Sequence, residues 1–126
     1  MSVPRSTTTR RYDLTDRTQK FADNVRLFCS QIPKTIAEPE DLKQVKRSSG
    51  SVGANYIEAN EALGKADFLM RCRICLKEAK ESAFWLRMIH VEHHSSLEIE
   101  RQRLTSEAEQ FVRIFCTIIR RVNENK

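Results

Sequence analysis

Four groups of residues have types and spacings that chemistry could use. They are Cys72-x-x-Cys75, the run His90-Val91-Glu92-His93-His94, the polar pairs Asn55/Glu58 and Glu78/Glu81, and the stretch Ser48-Ser49-Gly50-Ser51-Val52-Gly53-Ala54. A redox CxxC belongs at a helix start, where the dipole lowers one thiol pKa. A structural zinc site needs two further ligands at matching spacing. Cys72 and Cys75 instead fall inside a helical apolar stripe, and Cys29 and Cys116 stand alone. They read as reduced thiols of a core. The histidines could hold a metal or form a solvated helix end. A di-iron bundle requires Glu-x-x-His on two helices. The nearest patterns, Glu58…Glu61 and Glu78…Glu81, contain no histidine. No metal and no cofactor are expected.

The glycine–serine stretch lacks the Gly-Lys-Ser/Thr triplet and the preceding strand of a phosphate loop. Each helix-interior glycine costs about 1 kcal/mol relative to alanine, so close approach of another helix should offset it. Asn55, Glu58, Glu78 and Glu81 could form a general acid/base set or fix helix register, with Arg47, Arg71 and Arg87 as candidate partners. No nucleophile, oxyanion site or cofactor motif accompanies them, so the register role is expected and an enzyme is not.

Three clusters of cations remain: Arg10 with Arg11, Lys43 with Lys46 and Arg47, and Arg71 with Arg73 and Lys77. The net charge is +5 and uneven. Residues 65–91 hold six bases and three acids, so +3, while residues 1–11 hold three bases and no acid. Such clusters could neutralise phosphates of RNA or DNA. They could equally be the polar faces of amphipathic helices.

The elements that must position these groups follow from composition and period. With three glycines and three prolines in 126 residues, the turns of an all-β chain are missing. No apolar run approaches a membrane span, and residues 1–11 carry no apolar signal core, so a cytoplasmic protein is expected. Apolar or small residues recur at helical spacing in four stretches, 14–32, 39–63, 66–91 and 96–122. Asp13 is the expected N-cap of the first. Pro39 suits the first turn of the second, with Gly64 as its C-terminal stop. Ser95 with Glu98 reads as a capping box before the fourth. Connections this short set neighbouring helices antiparallel. The expectation is an all-α, up-down-up-down four-helix bundle over 12–126, preceded by a mobile basic tail, 1–11.

The third and fourth stretches carry more apolar residues than one bundle core needs, among them Leu69, Ile74, Leu76, Phe84, Trp85, Met88, Val112, Ile114 and Ile119. Surplus apolar surface marks an interface. Trp85, Met88 and Ile114 are the candidate contacts between copies of the chain.

The run Ser51-Val52-Gly53-Ala54-Asn55-Tyr56-Ile57-Glu58-Ala59-Asn60-Glu61-Ala62-Leu63 resembles a signature of the small bacterial four-helix bundle proteins, the ribosomal-RNA intervening-sequence protein family. The run Ile74-Cys75-Leu76-Lys77-Glu78-Ala79-Lys80-Glu81-Ser82-Ala83-Phe84-Trp85-Leu86-Arg87 resembles the second. The likeness extends from about Tyr12 to Val122. It departs at Ala59, where many members have glycine, and at Cys75, where a smaller residue is common. The resemblance implies an antiparallel bundle assembling as a ring-like homopentamer. It also implies kinship with the accessory protein of diversity-generating retroelements, which works with a reverse transcriptase and binds nucleic acid through basic surfaces. The expected function is therefore a non-catalytic oligomer binding RNA or DNA, as an accessory to a reverse transcriptase or to ribosomal RNA. The alternative is a protein-interaction scaffold with no nucleic-acid role.

Overall fold

The computed structural model describes residues 9–125, with side chains from residue 14 onward. Helix α1 spans Thr9–Gln31, α2 Pro39–Asn60, α3 Lys65–Met88 and α4 Ser95–Glu124; there is no strand among the described residues. Each helix packs on its neighbours in a closed cycle, α1 on α2, α2 on α3, α3 on α4 and α4 back on α1, the last seam being the least extensive. Arg47 meets Glu78 while Asn55 meets Arg71, so numbers rise along α2 as they fall along α3. That is the antiparallel pairing that short connections impose.

The 3-4 spacing of the sequence is realised as the core. Phe21, Val25 and Phe28 of α1 meet Val45, Val52 and Tyr56 of α2, Cys75, Ala79 and Leu86 of α3, and Leu104, Phe111 and Phe115 of α4. Phe21 and Phe111 pack edge to face at 5.3 Å, as do Tyr56 and Phe115 at 5.9 Å. These pairs add to the burial term because the positive edge of one ring meets the negative face of the other. Gly53 has a packing reason. A Cβ there would sit 3.0 Å from the Thr18 hydroxyl oxygen, so α1 and α2 approach too closely for a larger residue. Gly50 has no such reason inside the chain, since a Cβ would meet nothing within 4 Å.

The helix ends depart from expectation in four places. Helix α1 already runs at Thr9, so Asp13 is an interior residue and not a cap. Helix α2 stops at Asn60 on the bonds Glu61 N–H to Glu58 O and Ala62 N–H to Ala59 O. Gly64 then serves as the extended N-cap of α3, with φ −173°, and not as the stop of α2. Leu63 consequently leaves the apolar stripe and is 100% exposed. Helix α3 ends at Met88, and the extended Ile89 and the buried Val91 close the end of the core. The N-cap of α4 is His94, without a side-chain cap bond. Ser95 and Glu98 form no capping box, because the Glu98 carboxylate accepts from Arg101 at 2.6 and 2.8 Å and from Gln102 at 2.7 Å. Pro39 does open α2, followed by Glu40 and Asp41, where their charges complement the dipole.

Candidate nucleic-acid interface

At 100° per residue, Met70, Arg73, Lys77, Lys80, Phe84, Arg87 and Met88 fall within one outward stripe of α3. All seven are exposed, and the stripe contains four cations, three large apolar side chains and no acid. From Met70 to Met88 it is roughly 27 Å long at 1.5 Å per residue. Arg87 is bound to Glu109 of α4. Arg73, Lys77 and Lys80 take part in no ion pair among the described residues. Lys80 was not among the expected contacts. Its place three residues after Lys77 and four before Phe84 is the signal that finds it.

The other expected cations are placed differently. Arg47 reaches from α2 across to α3 and donates to the Glu78 carboxylate at 3.2 and 3.5 Å and to Glu81. The bond it donates to Glu78, aided by both carboxylate charges, raises the guanidinium pKa above its usual value. Arg71 donates to the Asn55 side-chain oxygen at 3.2 Å. Lys43 is exposed, and Lys46 is half-buried near Cys29. The side chains of Arg10 and Arg11 lie outside the described residues. A cation already facing a carboxylate releases little on meeting a phosphate. Of the cations expected to contact phosphate, Arg73 and Lys77 on α3 and Lys43 on α2 are thus exposed without an ion pair among the described residues.

Glu78 is buried, and Arg47 binds it across the α2–α3 seam. Below that pair, Ser82 Oγ lies 3.0 Å from Ser48 Oγ and 2.9 Å from the Glu78 carbonyl oxygen. The Cys75 thiol donates to the Val52 carbonyl at 3.4 Å. Small side chains and polar bonds together fix how far α3 slides along α2. Asn55 joins this set through Arg71, whereas Glu58 is exposed and remains outside it.

Burial pushes the thiols up, to about 11 at Cys29 and Cys72 and about 12 at Cys75. Such groups stay protonated and inert at neutral pH. The histidines are exposed in the α3–α4 connection, with His90 Nδ1 3.4 Å from Glu92. No cluster of three potential metal ligands exists among the described residues. A cleft of about 270 Å³ opens between α1 and α4, beside Lys20, Asn24 and Leu104. Its Arg17 is held by Glu107 at 2.8 and 3.1 Å and lies over the Phe111 ring. Of the three expected interface residues, Trp85 and Ile114 lean on the core, while Met88 is 44% exposed. No described helix is long and apolar enough to cross a membrane.

A crystal structure at 1.70 Å of a protein of unknown function from the S23 ribosomal protein family of Bacteroides thetaiotaomicron VPI-5482 has the same fold, with a TM-score of 0.70. It is 27% identical and aligns over 84% of this chain and 97% of that one. No curated protein is significantly similar to the chain. The family model of the 23S rRNA-intervening sequence protein matches residues 10–116. With nearly the whole bundle inside that match, the chain belongs to the 23S rRNA-intervening sequence protein family.

Proposed function

We propose that this bundle is a non-catalytic, cytoplasmic oligomer that binds RNA or DNA through the outward stripe of α3. The observation that carries the reading is the trio Arg73, Lys77 and Lys80 on an outward stripe without an acid, exposed and in no ion pair among the described residues. Phosphate binding by such cations draws its free energy from counterion release. A ring-like homopentamer, as the family resemblance implies, would repeat the stripe and pool its field. In that assembly the chain acts as an accessory to ribosomal RNA or to a reverse transcriptase. Binding should fall steeply between about 50 and 200 mM salt. Replacing Arg73, Lys77 and Lys80 by glutamine should flatten that slope. Affinity that ignores both changes refutes the proposal. Light scattering that finds a single chain at high concentration refutes the oligomer.

A second reading is supported by the apolar side chains exposed away from the stripe, Leu27, Ile57, Leu63 and Ile99. They suit a protein-interaction scaffold that binds no nucleic acid. Capture of one protein partner that survives nuclease and the triple glutamine variant favours it over the first.

A further inference from the structure

We infer that the α3 stripe is the path of a single strand, with a base stacked on Phe84, and not a face for a duplex. The inference rests on the nucleic-acid reading above and adds the class of substrate. Its starting point is Phe84, a large aromatic side chain left 50% exposed one helical turn beyond Lys80. An exposed aromatic ring beside free cations is the combination by which single strands are held: cations follow the phosphates while bases stack on the ring. A duplex keeps its base faces stacked inside, so it offers such a ring groove edges and backbone but no open base face to stack on.

The ring is also fixed in advance. Phe84 meets Trp85 edge to face, with centroids 4.9 Å apart and planes at 79°. Trp85 is itself packed against the core, and its indole N–H is buried without a hydrogen-bond partner. The platform under Phe84 is therefore part of the bundle, and little side-chain freedom remains to be lost when a base arrives. Arg73, Lys77 and Lys80 lie at i, i+4 and i+7, spaced about 6 and 4.5 Å along the axis, on the same side as the ring. Met70 and Met88 border the stripe with polarizable, adaptable surface. Arg87, though on this face, is occupied by Glu109 and is not assigned to the strand.

Fluorescence anisotropy at low salt can compare a labelled pyrimidine strand of about ten nucleotides with a duplex of equal length. The single strand should bind more tightly. Phe84→Ala should weaken it by about ten-fold or more and leave the duplex unchanged, while Phe84→Trp restores it. Phe84→Leu keeps the apolar cover over Trp85 and should behave like the alanine variant, which separates stacking from loosened packing. Because the chain has one tryptophan, placed against Phe84, single-strand binding should also change the emission of the wild-type protein. A duplex that binds as tightly as the strand, or a leucine variant that binds the strand as well as wild type, overturns the inference. If both nucleic acids bind and only the loss of Arg73, Lys77 and Lys80 matters, stacking fails and the broader reading stands. If neither binds at low salt, the broader reading fails first.

Discussion

Arg47 of α2 reaches across the seam to hold the buried Glu78 carboxylate of α3 at 3.2 Å, and it also takes up Glu81. This one cation faces two acids, so removing it leaves a carboxylate in a place water reaches poorly. The Arg47 side chain is 46% exposed, which limits the loss. Arg47→Met should destabilise by about 1–2 kcal/mol, the cost of stranding a half-screened polar group. Adding Glu78→Gln should recover part of it. A double-mutant cycle in urea checks this; additive losses would mean that the two side chains do not interact. In binding assays, Arg47→Gln should matter less than Arg73→Gln, because its charge is spent within the fold.

The two glycines of α2 should respond with opposite sign. At Gly53 an added Cβ meets Thr18 Oγ1 at 3.0 Å and Thr18 Cβ at 3.2 Å. Thr18 is buried, and its hydroxyl donates to the Thr15 carbonyl at 3.0 Å, so it has little freedom to move. Gly53→Ala should cost about 1 kcal/mol or more through overpacking, despite its better helix propensity. Gly50→Ala meets nothing and should stabilise by about 0.5–1 kcal/mol. Denaturant midpoints of both variants decide the matter. A destabilised Gly50→Ala protein would point to a second helix covering that position.

The same comparison shows what the sequence made legible. Period 3.6 located all four helices, because each must bury one face. The glycine–serine stretch pointed to close packing, which the structure shows at Gly53 against Thr18 and at Ser48 against Ser82, but not at Gly50. Ends were less legible because several groups compete for each terminal bond. Gly64 follows an apolar stripe and so resembles a left-handed stop, yet no described residue adopts positive φ and α2 closes by a plain turn. Glu98 has the spacing of a capping box, but Arg101 offers a charged donor that a backbone N–H does not match. The cationic stripe was only half legible. The sequence grouped Arg71 with Arg73 and Lys77 and offered Arg47 both as a phosphate contact and as a carboxylate partner, and only the packing of α2 on α3, which joins residues 31 apart, commits Arg47 to Glu78 and Arg71 to Asn55.

Glu98 gives the fold an acid sensitivity of known sign. Bonds from Arg101 first, and then from Gln102, bring its pKa down to about 2 from the ordinary 4.5. A carboxyl depressed in the folded state adds stability above its unfolded pKa and loses it as pH falls toward the folded value. The Glu98–Arg101 contribution should therefore be intact at neutral pH and fade between about 4.5 and 2. As a pair near the surface it should amount to about 0.5–1 kcal/mol. Thermal melts of wild type and Glu98→Gln should differ at pH near 7 and converge in acid. A difference that persists unchanged below pH about 2 would show that ionisation of Glu98 plays no part.

Thiol chemistry should divide the four cysteines three to one. Cys29, Cys72 and Cys75 are buried, and desolvation holds their pKa values at about 11, 11 and 12. Attack requires the thiolate and an open path, and these three have neither. Cys116 is exposed on α4. A disulfide reagent at mildly alkaline pH should therefore modify one thiol per chain rapidly and the remaining three only as the bundle opens. Cys116→Ser should abolish the fast phase and leave the slow one. Those slow rates should rise in Arg47→Met and Gly53→Ala, because weakening the seams that enclose Val52 and Cys75 raises the open population. Fast labelling of Cys75 in the wild-type chain would contradict its burial, and with it the close α2–α3 contact that holds the cationic stripe on the outside.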